Sequence, residues 1–486
     1  MKLPFTYARR NGVLVEDGAD GTLAVTLSAA AQPRALIELR RVAGCRLAVT
    51  RVPDHEFTAR LQQTYEDGQT RAEQTMADLG DALDLEQLAA ELNEPTDLLE
   101  AADDAPIIRL LNALFAEAIR EHASDIHIES FEGRLGIRLR VDGVLREVMR
   151  PPFAIAPLLV SRIKIMAKLD IAEKRLPQDG RISLRVANRP VDVRVSTMPA
   201  GHGERVVLRL LDKRAGRLEL EQLGMDAATT ARIDAIIHQP HGIFLVTGPT
   251  GSGKTTTLYA ALSRLNDSSR NVMTVEDPIE YFIDGIAQTQ VNTRVDMSFA
   301  RGLRAILRQD PDVVMVGEIR DLETAQIAIQ ASLTGHMVFS TLHTNSAIGA
   351  VTRLRDMGTE PFLLASSLTG VLAQRLVRVL CPACKRPRAV ESHDHRVLGE
   401  VGDEVVLFEA VGCAACNGIG YRGRTAIYEL FALDAAARTL VHDGASEQVL
   451  EQHARTSSQA MHGNGCARVL AGETTVGELL RVTQAV

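Results

Sequence analysis

Apolar and polar residues alternate along two parts of the first half of the chain, 135–148 and 182–195. Successive side chains of a strand point to opposite faces of a sheet, so a period of two predicts strands with one buried face. A polar turn divides each part, Asp142-Gly143 in the first, and predicts two β-hairpins. An amphipathic series over 107–119 predicts a helix before them. We therefore expect an α+β domain centred on an antiparallel sheet.

After about Leu220 the pattern changes to short apolar runs that alternate with segments of helical period. Strands buried on both faces give such runs, and helices connect them when the strands are parallel. The runs lie at 243–247, 272–276, 312–317 and 337–342. This part of the chain predicts an α/β domain with a parallel sheet.

These changes of pattern divide the chain into five predicted domains, which makes the expected fold class multidomain α/β. They are a small N-terminal adaptor or docking domain (1–98), the α+β domain (103–220), the α/β core (221–376), a four-cysteine segment (377–430) and a C-terminal helical domain (431–486).

Composition and charge narrow the function. The chain is 45% apolar and 24% charged, as is usual for a globular protein, and has no apolar run of the ~18–20 residues that cross a bilayer. Its first ten residues lack the apolar region of a secretory signal, so we expect a cytoplasmic protein. The net charge of −8 argues against a nucleic-acid binder.

The run from Gly248 to Thr255 has the spacing G-x-x-x-x-G-K-T, between a predicted strand and a predicted helix. Its glycines let consecutive backbone N–H groups turn towards phosphate oxygens, and the helix N-terminus adds positive dipole. Lys254 is expected to reach the β and γ phosphates, and Thr255 to bind Mg²⁺. The predicted nucleoside-triphosphate contacts are Gly248, Pro249, Thr250, Gly251, Ser252, Gly253, Lys254, Thr255 and Thr256.

Ionisable residues border three further apolar runs. Glu318 follows 312–317 and is predicted to orient or deprotonate the attacking water. Glu276 and Glu280 lie in an acidic stretch around Pro278, where holding a metal-bound water and forming a turn are equally weighted alternatives. His336 and His343 flank 337–342, and we predict that they sense the γ-phosphate.

Four cysteines form two C-x-x-C pairs, Cys381 with Cys384 and Cys413 with Cys416. This spacing favours a structural Zn²⁺ site over redox pairing, because neither pair lies in a thioredoxin-like pattern.

Basic residues without an intervening acid lie nearby, and they have two interpretations. One is ordinary solvated charge, and the other is a contact with anionic lipid. They are Arg375, Arg378, Lys385, Arg386 and Arg388.

In combination these motifs resemble the secretion-superfamily ATPases, and among them the assembly ATPases of type II secretion. The resemblance covers about residues 104–429. It is carried, in order, by Ser124–Glu129, Arg138–Gly143, the phosphate loop, Glu276–Glu280, Leu307–Asp312 leading into Gly317–Asp321, the two histidines and the cysteine pairs.

The resemblance implies a RecA-like core preceded by a PAS-like α+β domain, in a hexameric motor that hydrolyses ATP with Mg²⁺ to assemble a pseudopilus. It also implies that Arg194 and Arg209 of the α+β domain reach the nucleotide, although both could simply be polar faces of alternating strands. The implied partners are inner-membrane secretion proteins, a bitopic linker and a polytopic platform, which would bind the N-terminal domain. The protein would then lie in the cytoplasm, attached peripherally to the inner membrane.

Three other functions remain open at this stage. The first is the related type IV pilus assembly motor, and the second is a zinc-stabilised scaffold that binds ATP without turnover. The third, a nucleic-acid translocase, is disfavoured by the acidic charge.

Overall fold

The computed structural model describes residues 12–17, 23–29, 31, 39–40, 47–53, 56–57, 60, 105–186, 189–212, 218–402 and 404–483. The chain divides into two compact units, Met1–Leu139 with Arg146–Leu210, and Arg140–Leu145 with Leu211–Val486. Among the described residues, no helix combines the length and the apolar character that a bilayer span requires.

The first unit begins with a small three-stranded sheet. Its strands are β1 (Val13–Asp17), β2 (Leu23–Leu27) and β3 (Leu47–Arg51). β2 pairs antiparallel with β1 and parallel with β3, and Val13, Val15 and Val25 are buried in a small apolar cluster. Most of the predicted adaptor domain, including all of 61–98, lies outside the described residues.

A six-stranded sheet and two helices follow, which include the antiparallel sheet and the helix that the sequence pattern predicted. The elements are α1 (Ala105–Arg120), β4 (Asp125–Phe131), β5 (Arg134–Val141), β6 (Val144–Met149), α2 (Ala156–Met166), β7 (Gln178–Val186), β8 (Arg189–Ala200) and β9 (Gly203–Asp212). The strand order is β6-β5-β4-β9-β8-β7, so both predicted hairpins are confirmed. The inward residues of the alternating strands, such as Ile126, Ile128, Val193 and Val195, are buried.

The second unit is built on a seven-stranded sheet with helices on both faces. Its first elements are α3 (Ala227–Ile237), β10 (Gly242–Thr247), α4 (Lys254–Leu265), β11 (Val272–Glu276), β12 (Ala287–Gln290), α5 (Phe299–Ile306), β13 (Val313–Val316), α6 (Leu322–Leu333), β14 (Met337–Leu342), α7 (Ala347–Asp356) and α8 (Pro361–Ser367).

The remaining elements are β15 (Leu368–Leu380), β16 (Arg386–Arg388), α9 (Ser392–Leu398), β17 (Leu407–Glu409), β18 (Tyr421–Ala432), α10 (Ala435–His442), α11 (Glu447–Ala454), α12 (Met461–Leu470) and α13 (Val476–Thr483). The strand order is β12-β11-β13-β14-β10-β15-β18, in which β18 alone runs antiparallel to its neighbour. The predicted parallel α/β core is therefore confirmed.

The strand β10, fully buried along its length, lies between β14 and β15 in the interior of this sheet. Because the strand order reverses next to β10, the loops that leave the carboxyl ends of neighbouring strands diverge there and open a crevice. The phosphate loop occupies this position.

The C-terminal helices pack into the same core as the sheet. Val441 of α10, Val469 of α12 and Leu479 of α13 share one apolar cluster with Val371 and Val377 of β15. The four-cysteine segment lies between β15 and β18, which pair with each other, so the segment is an insertion between neighbouring strands. The finer predicted boundaries at 376 and 430 remain a prediction.

Candidate active site

The phosphate loop leaves the carboxyl end of β10 and enters α4 at Lys254. Gly248 has a φ of +147°, and a Cβ there would lie 2.4 Å from the Gln374 carbonyl oxygen. Glycine is needed at this position because the loop passes directly against strand β15. The Ser252 hydroxyl oxygen is buried without a hydrogen-bond partner in the described part of the chain. An unpaired buried hydroxyl inside a phosphate loop is the kind of donor that a bound anion satisfies.

Lys254 is folded over this loop. Its Nζ donates to the carbonyl oxygens of Gly248 at 2.8 Å and Pro249 at 3.2 Å. Burial lowers the pKa of Lys254 to about 8, and the negative charge of Glu318 opposes that effect. A phosphate oxygen carries charge and accepts a stronger hydrogen bond than these carbonyls, so the ammonium group can exchange them for phosphate.

The next loop residues fit a magnesium-bound nucleotide. The side chain of Thr255 is exposed, and its hydroxyl makes no hydrogen bond among the described residues. A hydroxyl oxygen is a suitable hard ligand for Mg²⁺, which prefers oxygen. Thr256 is partly exposed in the same first turn of α4.

Glu318 follows β13 and is held by two cationic or ionisable side chains. Its carboxylate accepts from Arg320 at 2.5 Å, and His343 Nε2 lies 3.4 Å from its other oxygen. Thr341 anchors this segment, because its hydroxyl donates to the Gly317 carbonyl at 2.7 Å. The structure therefore brings together Lys254, Glu318 and His343 at the carboxyl edge of the sheet.

Glu276 ends β11 as a buried carboxylate with three side-chain donors. It accepts from Thr274 at 2.6 Å, from Gln288 at 3.0 Å and also from the Tyr259 hydroxyl. Burial raises the pKa of Glu276 above its usual value, although these three hydrogen bonds oppose the rise. The backbone N–H of Glu280 donates to the Tyr259 hydroxyl at 3.4 Å, so the main chain at Glu280 joins the network around Glu276.

The remaining predicted residues lie elsewhere. His336 precedes β14, at the edge of the sheet opposite to the phosphate loop, and its Nδ1 is 2.8 Å from the Ala331 carbonyl oxygen. Arg194 and Arg209 belong to the first unit, on β8 and β9. Arg209 is bonded to Asp125 at 2.9 Å and is 55% exposed. That these arginines reach the nucleotide remains a prediction.

The four cysteines converge as predicted, and their sulfur atoms all lie within 4.8 Å of one another. Cys381 and Cys413 are 3.9 Å apart, and Cys384 and Cys416 are 3.8 Å apart. Sulfurs bound tetrahedrally to zinc at ~2.3 Å would be separated by ~3.8 Å, whereas a disulfide bond is only ~2.05 Å long. The donor set therefore fits Zn²⁺.

The second cysteine pair, Cys413 and Cys416, also stabilises the thiolate form of Cys416. Burial alone would raise the pKa of Cys416, but hydrogen bonds from the backbone N–H groups of Cys413 and Gly420 lower it to about 6. Because zinc binds the thiolate form, this arrangement prepares Cys416 as a ligand.

The predicted basic patch is not a free surface. Four of its five residues use their charged groups in contacts within the protein, and only Arg386 is exposed without such a contact in the described part of the chain. The acceptors are Val482 O and Asn345 Oδ1 for Arg375, Glu478 for Arg378, Gly472 O for Lys385 and Asp394 for Arg388. Four of the five charged groups therefore have acceptors within the protein, and a contact between this patch and anionic lipid remains a prediction.

Sequence reasoning missed two residues that contact this site, Gln374 and Tyr259. Gln374, on β15, bonds the phosphate loop, and Tyr259, on α4, bonds Glu276. The available signal was the polar pair Gln374-Arg375, which directly follows the apolar run 371–373.

Comparisons with known proteins agree with this geometry. A family model described as "Type II/IV secretion system protein" matches residues 100–481, and a model for an N-terminal domain of "GSPII protein E" matches residues 2–65. The "Type II secretion system protein E" of Aeromonas hydrophila is 58% identical over 484 residues, which cover 99% of this chain and 96% of that protein. The "Type II secretion system ATPase E" of Vibrio cholerae is 57% identical over 486 residues, covering 99% and 97%.

Solved structures share the fold. The ATPase DotB of Legionella pneumophila superposes with a TM-score of 0.59 at 21% identity, covering 78% of this chain and 96% of that one. The pilus retraction motor PilT, solved with bound ADP, gives a TM-score of 0.51 at 27% identity, covering 76% and 95%. The chain therefore belongs to the type II/IV secretion system protein family, in which it is an ATPase of the type II secretion group.

Proposed function

We propose that this ATPase hydrolyses ATP to drive assembly of a pseudopilus, and thereby export of folded proteins across an outer membrane. The observation that carries the proposal is the convergence of Lys254, Glu318 and His343 beside the phosphate loop. These groups supply a phosphate cation, a base and a polar sensor at one edge of the sheet.

In the proposed reaction, backbone N–H groups of the loop and the Lys254 ammonium bind the triphosphate. Glu318 orients the attacking water and accepts its proton, because it is the carboxylate beside the phosphate-binding lysine. His343 contacts Glu318 and reports the state of the γ-phosphate through that contact. Thr255 would hold Mg²⁺, which supplies positive charge to the β and γ phosphates.

Other predicted residues have supporting or unassigned roles. Glu276 and Glu280 organise the acidic turn that would hold metal-bound water. Arg194 and Arg209 would stabilise the developing charge on the γ-phosphate, and Arg209 would then exchange Asp125 for phosphate. His336, at the opposite edge of the sheet, takes part in no step that we propose.

We further propose a hexamer that is attached to the inner membrane through partner proteins. The family match over residues 2–65 supports an N-terminal domain that binds a bitopic linker protein and a polytopic platform protein. Cys381, Cys384, Cys413 and Cys416 would hold the structural Zn²⁺.

The alternative of a type IV pilus assembly motor has weaker support. PilT shares 27% identity with this chain, whereas proteins named for type II secretion share 57–58% over nearly the whole chain. Deleting the gene should abolish protein release into the culture medium and leave pili unchanged.

Replacing the proposed base tests turnover directly. Glu318→Gln should lower kcat about 10²–10⁴-fold, because a carboxamide cannot accept the proton from water. The Kd for ATP should change less than about twofold, since the phosphate loop is untouched. The measurements are phosphate release and calorimetric ATP binding. The matched control is Glu323→Gln, an exposed residue of α6 paired with Arg304, which should leave both values unchanged. A wild-type protein that binds ATP but never hydrolyses it would support the scaffold instead.

A further inference from the structure

Gln374 is a buried polar residue, 1% exposed, in the middle of the apolar strand β15. Its side chain reaches across to the phosphate loop, where Nε2 donates to the Ser252 carbonyl oxygen at 2.6 Å. Its backbone carbonyl oxygen lies 2.4 Å from the position that a Cβ on Gly248 would occupy. Gln374 therefore contacts both ends of the phosphate loop.

A second residue contacts the other end of this amide. The Thr257 hydroxyl, on α4, donates to Gln374 Oε1 at 2.7 Å. A hydroxyl that donates to the carbonyl end of a glutamine leaves the NH₂ end pointing the other way. In this case the NH₂ end faces the Ser252 carbonyl, which can only accept, so Ser252 and Thr257 together hold the amide in this orientation.

The hydrogen bond to Ser252 also sets the direction of the next backbone N–H. A trans peptide is planar, so the Ser252 carbonyl oxygen and the Gly253 N–H point in opposite directions. With the carbonyl held towards β15, the Gly253 N–H is directed away from β15. Within the described residues this N–H has no acceptor. Such free, aligned N–H groups of a glycine loop bind phosphate.

We infer that Gln374 is a positioning residue for nucleotide binding, and this inference rests on the proposed ATPase function. Its amide, held at the carbonyl end by Thr257, keeps the Ser252–Gly253 peptide in the conformation that presents the Gly253 N–H to phosphate. Without that hydrogen bond the peptide can rotate, and the loop loses a preorganised donor.

The substitution Gln374→Glu gives a test with a pH signature. Above its pKa the introduced carboxylate has no proton to donate to the Ser252 carbonyl, and it adds negative charge beside the phosphates. Once protonated, it can donate to Ser252 and accept from Thr257, as the amide does. We therefore expect the Kd for ATP to be about tenfold weaker than in the wild type at pH 8.5, and the ratio to return towards one near pH 5.5.

Only ratios of variant to wild type are compared, because other groups titrate nearby. The ionisable groups on the elements packed against this part of β15 include Lys254 and Tyr259 on α4, and Tyr428 and Glu429 on β18. All of them are present in both the variant and the wild type. Gln374→Met, which has a similar shape and no donor, should weaken ATP and ADP equally at every pH. Because the loop contacts persist in the transition state, kcat should fall less than about threefold.

Control variants separate positioning from folding. Gln452→Glu, the same chemical change at an exposed position of α11, should leave ATP affinity unchanged. Thr257→Val removes the orienting hydroxyl and should weaken ATP binding in the same direction, with no further loss when combined with Gln374→Met. Thermal unfolding checks each variant.

The outcomes discriminate the inference from the function on which it rests. If the wild-type protein neither binds nor hydrolyses ATP, the proposed function itself is contradicted. The inference alone would be overturned if the wild type hydrolyses ATP and either Thr257→Val or the folded Gln374 variants bind ATP with unchanged affinity. A deficit of Gln374→Glu that does not recover on acidification would also overturn it, because donation to Ser252 would then be irrelevant.

Discussion

Glu276 illustrates how single residues fix the geometry of this site. A carboxylate buried in the core is costly unless donors surround it. Here Tyr259, Thr274 and Gln288 supply those donors from three different parts of the chain. The network joins the phosphate-binding helix α4 to the acidic turn, so the position of one depends on the other.

Removing the tyrosine hydroxyl should therefore destabilise the second unit in a pH-dependent way. Burial already raises the pKa of Glu276, so unfolding releases its proton and stability falls as pH rises from about 4.5 through the folded-state value. Tyr259→Phe removes a donor to the ionised form and should raise this pKa further. We expect a loss of ~1–3 kcal/mol at pH 8 and a smaller loss at pH 5, measured from urea unfolding midpoints.

The same substitution at Tyr428 is a matched control. Its hydroxyl is buried but donates to a neutral acceptor, the Leu223 carbonyl, at 2.8 Å. Tyr428→Phe should cost a similar amount at both pH values. Equal pH dependence in the two variants would contradict the role that we assign to the Glu276 carboxylate.

At the residue scale, the sequence predicted the functional residues of short motifs. It did not predict contacts between residues that are far apart in sequence. Lys254 and Glu318 follow apolar strands, and the parallel sheet places both at one edge. His336 and His343 lie at the two ends of a single strand, so they are separated by its length and only His343 joins the site. Gln374 contacts Ser252 across 122 positions of sequence, which no local pattern reveals.

Among the elements, the cysteine insertion shows how a small segment is held without a core of its own. Each cysteine pair borders a long strand, the first after β15 and the second before β18, and these strands pair with each other. The sheet therefore brings the two pairs together, and the ion would fix the loops between them.

Loss of a single ligand should empty this site. Cys384→Ser is expected to reduce bound zinc from about one per chain to a small fraction, and to lower the thermal midpoint by several degrees. Metal analysis and calorimetry measure the two effects. Cys466→Ser, a half-buried thiol near the Val397 carbonyl on another part of the unit, should keep its zinc. Equal zinc content in both variants would rule out the four-cysteine site.

Periodicity predicted four strands in each of the two large sheets, because the burial of each of these strands repeats along its own sequence. It could not predict how charges pair between elements. Arg378 lies in an acid-free stretch, yet it binds the buried Glu478 of α13, which comes 100 positions later. A basic stretch in sequence was therefore no guide to a basic surface.

At the scale of the whole molecule, the described residues beside the phosphate loop offer it few free cations. The phosphate loop supplies Lys254, and the nearby Arg320 is already bound to Glu318. A triphosphate in its loose transition state gains from further cations. Arg194 and Arg209, our predicted sources, belong to a different unit of the fold from the phosphate loop. Such a site can be completed by domain closure or by a neighbouring subunit.

The dependence of the ATPase rate on oligomer assembly should show whether domain closure or a neighbouring subunit completes the site. If a neighbour supplies the arginines, the ATPase rate per chain should rise several-fold as protein concentration increases from about 0.1 to 10 µM, following mass action. Analytical ultracentrifugation in the same range would show whether the rise accompanies ring formation. Mixing in Glu318→Gln chains adds a control, because inactive neighbours with intact arginines should maintain the activity of wild-type sites, whereas Arg209→Ala chains should lower it. A constant rate per chain across monomer and oligomer would instead require each chain to complete its own site.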